Sequence, residues 1–330
     1  MLSRVADSVY WMNRYIERAE NVARFIDVNH NLTLGEGDEL SKQWAPLVYT
    51  TGDHEQFSER YGTPSRANVL HFLAFDRDNP NSIISCVARA RENARSVREV
   101  ISVSMWEQLN KFYLMVLGAA GDPDALLRSP GDFCDQVKLA SHTLVGLTYA
   151  TMSHGEAWHF SRIGRLLERA DKTSRIVDVQ YFLLLPNLSD IGGSLDVVRW
   201  SAMLKSATAL EMYRREHGRI EPQTVANFLI LDRRFPRSMH FCIIHSQESL
   251  REVAGSHSGT FHFHSEQLLG RLRSELDYTH IKDIIKRGMH EFIDDFQVRL
   301  NEIGAAIHDD FFTKPVGQEQ ESSDRTETRQ

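Results

Sequence analysis

The chain has 330 residues, 42% hydrophobic and 25% charged, which is ordinary globular usage and excludes collagen-like, disordered and coiled-coil-only chains. Lys and Arg number 38 against 45 Asp and Glu, a formal net charge of −7, which argues against a broad nucleic-acid or anionic-membrane surface. The three cysteines, Cys86, Cys134 and Cys242, are odd in number and share no metal spacing, so neither a disulfide framework nor a zinc knuckle is expected, and a reducing, cytoplasmic setting fits.

The N-terminal residues show no apolar signal core, and no stretch reaches the roughly 18 consecutive apolar residues of a membrane span. From there Val5, Val9, Met12, Ile16, Ala19, Ala23 and Ile26 recur three and four apart and predict a long amphipathic helix. Breaks fall at Gly35 to Gly37, Gly118 to Pro123, Ser129 to Gly131, Pro186 to Gly193 and Gly255 to Gly259. A helix from Phe133 to Met152 leads almost directly into another around Arg165 to Val179. Ile281, Ile285, Met289, Phe292, Phe296, Leu300, Ile303 and Ile307 predict one long C-terminal helix able to seal a bundle. Strand patterns are nearly absent, and the polar tail from Thr313 to Gln330 is expected to be disordered. The fold class is all-α.

An internal repeat organises these helices. Residues Arg14 to Val28 align without gaps on Arg165 to Val179 with seven identities in fifteen positions, and Val69 to Ser82 align on Val225 to Ser238 with seven in fourteen. The second offset also pairs Trp44 with Trp200, Cys86 with Cys242, Glu92 with Glu248 and Arg95 with Arg251. Two copies with so long a period are not a solenoid. The expectation is two homologous helical bundles, residues 1–150 and 151–312, related by a pseudo-twofold axis, followed by a tail at 313–330.

Opposite the apolar stripe of the first helix runs a second one, Tyr10, Arg14, Glu17, Asn21 and Arg24, and the other copy repeats it as Ser161, Arg165, Glu168, Lys172 and Arg175. A solvated face need not keep these identities twice. Either the two stripes cross near the axis and exchange Arg–Glu bridges, or they line a cleft that holds an anion. Arg18, flanked by Trp11, Tyr15, Val22 and Phe25, needs a carboxylate, and Asp27 or Asp178, Asp76 or Asp232, and Glu92 or Glu248 are candidates present in both copies. Its counterpart is Arg169. A second basic helix carries Arg89, Arg91, Arg95 and Arg98 with Glu92 and Glu99. Its charges suit a solvated face or, stacked on the first helix, a guanidinium-rich groove for phosphate or carboxylate.

No metal site or cofactor is expected. Glu156 and His159 have a di-iron spacing but lack the second Glu-x-x-His that such sites require. His257, His262 and His264 cluster in a Gly/Ser-containing loop of polar surface character. Walker, nucleophile-elbow and paired Cys-His patterns are missing.

Tyr10 to Asn21, with its Glu17-Arg18 pair, and Gly164 to Asp171, with Glu168-Arg169, resemble the bacterial alpha-E family, all-helical proteins named for a Glu-Arg motif; the resemblance extends through Ala90 to Arg95 and Met105 to Glu107 to about Phe312. It implies that Glu17, Arg18, Glu168 and Arg169 are the motif residues. It also implies company: a circularly permuted ATP-grasp ligase, and a neighbouring transglutaminase-like peptidase or proteasome-like peptidase, hence peptide or amide metabolism. The expected role is an accessory helical subunit of an ATP-grasp ligase, with Arg14, Arg18, Arg24, Arg165, Arg169, Arg175, Arg91 and Arg95 forming a groove for an anionic peptide or acyl-phosphate. The alternatives are a stand-alone enzyme with Glu17 or Glu168 as acid/base, and a purely structural interaction module.

Overall fold

A computed structural model describes residues 1–33, 44–184 and 194–313, and among them every regular element is helical. The first group is α1 (Ser3–Thr33), α2 (Ala45–Thr51), α3 (His54–Tyr61), α4 (Arg66–Ala74), α5 (Ile83–Ser96), α6 (Val103–Ala120), α7 (Pro123–Arg128) and α8 (Pro130–Thr151). The second is α9 (Glu156–Leu184), α10 (Ser194–Ser206), α11 (Leu210–His217), α12 (Pro222–Leu231), α13 (Met239–Ala254), α14 (His264–Tyr278), α15 (Ile281–Arg287) and α16 (Met289–Ile307), closed by a π-helical turn at His308–Phe312. None of the described helices is long and apolar enough to cross a membrane.

Local chemistry sets the boundaries. Ser82, Ser102 and Ser238 are extended residues whose hydroxyls accept from the backbone N–H groups of Ser85, Met105 and Phe241, satisfying donors that a helix start leaves unpaired. Pro123 and Pro130 open α7 and α8, where the missing N–H costs nothing. Gly255 ends α13 at φ 66°, a left-handed conformation that a glycine takes without strain. The breaks expected at 35–37 and 186–193 and the tail from 314 lie outside the described residues.

The C-terminal helix is not continuous. Gly288, at φ 111°, separates α15 from α16, and a Cβ there would also meet the Glu291 carboxylate. The break re-phases the stripe, so Ile284 is buried while Ile285 is 39% exposed. Apolar spacing read straight across the glycine because Met289, Phe292 and Phe296 resume a helical period at once.

Helices α1, α5, α6 and α8 neighbour one another in a closed four-helix ring, and α9, α13, α14 and α16 make a second ring. Each ring encloses its own apolar core. One is built on Met12, Ile16, Trp44, Phe72 and Phe112, the other on Trp200, Tyr213, Phe228, Phe292 and Phe296. Helix α1 packs along α9 and lends Ala6, Tyr10 and Phe25 to the second core. Where the two helices cross, a Cβ on Gly164 would lie 2.3 Å from the Tyr10 carbonyl oxygen, so backbone touches backbone there. Consequently α1 is enclosed on both its apolar stripe and its polar one: Asn13, Glu17, Glu20, Asn21 and Arg24 are all buried. Burial of that second stripe is what positions the candidate site.

Candidate functional site

Glu168 is fully buried and receives two arginines from the opposing helix. Arg18 donates from Nε to Oε1 at 2.7 Å and from Nη2 to Oε2 at 3.0 Å, and Arg14 donates from Nε to Oε2 at 2.9 Å. Two further donors are engaged: Arg14 Nη1 reaches the Tyr10 hydroxyl at 3.1 Å, and Arg18 Nη1 the Asn81 side-chain oxygen at 2.7 Å. Lys172 approaches Glu168 at 3.7 Å and Asp171 at 3.0 Å. Asp171 pairs with Arg175 one turn on, at 3.1 Å. Burial alone would raise the Glu168 pKa, but Arg18, Arg14 and Lys172 outweigh it and hold the carboxyl well below its ordinary range.

Glu17 is the reciprocal case. Arg169 of α9 clamps it from Nε at 2.9 Å and from Nη2 at 2.7 Å, a bidentate fork between groups 12% and 1% exposed. Its second guanidinium comes from Arg237, just ahead of α13, at 3.0 Å, and Asn21 donates at 3.0 Å. Arg237 also bonds Glu20, which in turn accepts from Arg24 at 2.6 Å and from the Ser141 hydroxyl. Arg24 reaches across to the Thr208 hydroxyl, and Thr208 stands at φ 52°. Burial opposes ionisation of Glu17, yet Arg169 and Arg237 keep its pKa below the usual value, and Arg237 with Arg24 does the same, more strongly, for Glu20.

Beside this second cluster lies a cleft of about 440 Å³ between α8 and the loop before α13, lined by Arg24, Arg169, Arg237, His142, Gly146 and Phe235. Three arginines stand among its lining residues, each largely buried, and most of its exposed surface is apolar; Glu17 and Glu20 do not line it. Arg165, one turn before Arg169, takes no part in the clamps. Its Nε is buried without a partner, and among the described residues it makes no hydrogen bond or ion pair. Burial and the neighbouring Arg169 push its pKa down to about 10.

The carboxylates expected for Arg18 are engaged elsewhere. Asp27 binds Lys138 at 2.7 Å, Asp76 binds Arg60 at 2.9 Å, Glu92 binds Arg95 at 2.7 Å, Glu248 binds Arg162 at 3.5 Å and Asp178 binds His290 at 2.7 Å. Asp232 accepts from the Arg234 and Phe235 backbone N–H groups at 2.7 and 2.6 Å. The partner is instead Glu168 of α9, because α1 and α9 pack directly on one another.

The arginines of α5 disperse rather than fill one groove. At 100° per residue Arg89 faces away from Arg91, Arg95 and Arg98. Arg89 lies over Tyr15 of α1, whereas Arg91 and Arg98 lie over Trp106 of α6, and Arg95 is exposed. Arg237, Glu20, Asn81 and Thr208 were not singled out from sequence. The available signal for Arg237 was its place in the aligned segment, where Phe-Pro-Arg-Ser answers Asn-Pro-Asn-Ser and an arginine replaces Asn81. Among the described residues no three His, Cys, Asp or Glu side chains converge as metal ligands would, and the three cysteines are free and buried.

Fold and site together define an all-helical protein whose two four-helix rings are joined through buried Arg–Glu clamps, with Glu-Arg pairs at 17–18 and 168–169 at their centre. The chain belongs to the Alpha-E family, an alpha-helical domain with a conserved ER motif, whose description matches residues 1–312. Uncharacterized proteins of Mycobacterium bovis and of Mycobacterium tuberculosis strains CDC 1551 and H37Rv are similar to it, each 22% identical over 324 residues, covering 92% of this chain and 35% of their own length. The chain thus spans about a third of the length of the curated relatives it matches. No solved structure matches it.

Proposed function

We propose that this chain is a cytoplasmic helical accessory subunit of an ATP-grasp amide or peptide ligase, docking on it and offering an arginine-lined cleft to an anionic peptide or acyl-phosphate. The observation that carries the cleft is its lining by Arg24, Arg169 and Arg237. Family membership motivates the ligase, with a transglutaminase-like peptidase as a further partner. The relatives' greater length is in keeping with a helical unit that works beside another domain.

Use of Glu17 or Glu168 as acid or base is disfavoured by their settings. Both are buried, both are held ionised below their ordinary range, and each is clamped by two arginines. A catalytic base near neutrality needs a raised pKa and a route to substrate. The structural module keeps support of its own, since the exchange of Arg18 to Glu168 and Arg169 to Glu17 braces the two rings.

We read residues 1–150 and 151–312 as duplicated copies about a pseudo-twofold axis at the α1–α9 crossing. Three pairings support this besides the clamps. Cys86 and Cys242 donate to the Pro80 and Pro236 carbonyls at 3.7 Å. Gly52 and Thr208 both have positive φ. A Cβ on Gly52 would meet the Arg175 guanidinium, as Thr208 meets that of Arg24.

The test is native mass spectrometry of the tagged protein isolated gently from its own host. A stoichiometric ATP-grasp protein is expected, and His142→Glu, which sets an anion at the cleft mouth, is expected to slow product formation by the captured ligase without releasing it. Recovery of the chain without such a protein would remove the accessory role, and unchanged product formation would remove the cleft.

A further inference from the structure

The two clamps are not equivalent, and the difference leaves one arginine over. Around Glu168 both Arg14 and Arg18 are consumed, Arg14 being held by the carboxylate and by the Tyr10 hydroxyl. In the other copy Ser161 stands where Tyr10 would be, and Glu17 takes its second guanidinium from Arg237, which stands where the first copy has Asn81. Arg165, the counterpart of Arg14, is thereby displaced from its carboxylate. On this side four guanidiniums, those of Arg24, Arg165, Arg169 and Arg237, face two carboxylates, Glu17 and Glu20.

A second unsatisfied group lies level with Arg165. The antiparallel pairing of α9 and α13 is set by Arg162 donating to the Ser249 hydroxyl at 3.2 Å and by the Thr173 hydroxyl donating to the Arg237 carbonyl at 2.9 Å. That register brings Ser246 opposite Arg165. Ser246 is fully buried and its hydroxyl has no partner, where a helical serine ordinarily bonds back to a carbonyl. Arg165 is a partly buried cation without a partner among the described residues, one turn before the cleft-lining Arg169, and such a cation is the donor that an oxyanion site needs.

We infer that Arg165, one turn before the cleft-lining Arg169, forms a binding site for a phosphoryl group beside the cleft. A dianion matches the excess of two positive charges, which a single carboxylate would only halve. Arg165 supplies guanidinium donors that nothing among the described residues occupies. The inference rests on reading this face as a ligand groove and not on the ligase partnership, which capture from the host tests separately.

The experiment is calorimetric titration of the isolated full chain with inorganic phosphate at constant ionic strength, with acetate as the carboxylate probe. The wild type binds phosphate more tightly than acetate, and Arg165→Met weakens phosphate binding about tenfold or more. Arg214→Met, which removes the same charge from an exposed site on α11, leaves it unchanged. The melting temperature of Arg165→Met stays at or above the wild-type value, because the arginine bonds to nothing, so lost binding is not lost folding. Absence of phosphate binding, equal binding of acetate, or an Arg165→Met protein that binds phosphate as before would overturn the site.

Discussion

Arg169→Met removes a guanidinium while keeping most of the side-chain volume, and so isolates the charge from the packing. In the wild type Arg169 places two bonds, 2.9 and 2.7 Å, on a carboxylate that is 1% exposed. Removing one partner of a buried ion pair costs about 3–5 kcal/mol, because the other charge is left desolvated. Glu17 is not abandoned altogether: Arg237 at 3.0 Å and Asn21 at 3.0 Å remain. The lower end, about 3 kcal/mol, is therefore expected, or a fall of roughly 4 °C in melting temperature for a chain of this size. The same loss applies to Arg18→Met, where Arg14 remains at 2.9 Å on Glu168. Urea unfolding of Arg169→Met, Glu17→Gln and the double variant gives the coupling directly, and the double variant is less destabilised than the sum of the singles. Salt separates burial from surface pairing, since the loss persists from about 0.05 to about 0.5 M if the pair is shielded from solvent. A loss under about 1 kcal/mol in Arg169→Met, or strictly additive single effects, would refute the claim that the crossing depends on this clamp.

Acid sensitivity follows from the same carboxylates. Glu17, Glu20 and Glu168 ionise in the folded protein below the ordinary value of 4.5, so their contribution is fully present above the unfolded value and is lost as pH falls through the folded ones; urea midpoints that kept rising below about pH 4 would contradict it. Gly164→Ala places a methyl 2.3 Å from the Tyr10 carbonyl oxygen; with backbone as the obstacle, a cost of about 1–3 kcal/mol is expected, read as a lower melting temperature, and a wild-type value would mean that the helices separate easily. Burial raises the Cys86 and Cys242 thiols to about 12 and also raises Cys134. Native protein should therefore resist a thiol reagent until it unfolds, and prompt reaction of any cysteine would show an unforeseen opening.

The helical class, the long N-terminal helix and the paired Arg–Glu stripes were legible because they depend on spacing within one helix. Exchange of bridges between the stripes of α1 and α9 was one of two arrangements left open, and the packing of α1 along α9 is what forms those bridges. Arg18 illustrates the limit. Its flanking residues showed that it needed a carboxylate, but every candidate named from the sequence was engaged by another group, in several cases from a distant helix, and the true partner was the motif glutamate of α9. Gly288 shows a different one, since an apolar period survives a break that only a backbone angle of 111° reveals.

By itself the sequence determined that the chain is helical and that arginines and glutamates recur on one face. These follow from hydrophobic period, helix-terminating residues and side-chain identity, all of which are local. The tertiary structure alone decided that this face is buried, which glutamate each arginine serves, and that Arg165 is left without one. Pairing a buried charge depends on distances across helices up to 220 residues apart in the chain, as between Glu17 and Arg237, and a helical period carries no information about what packs against it.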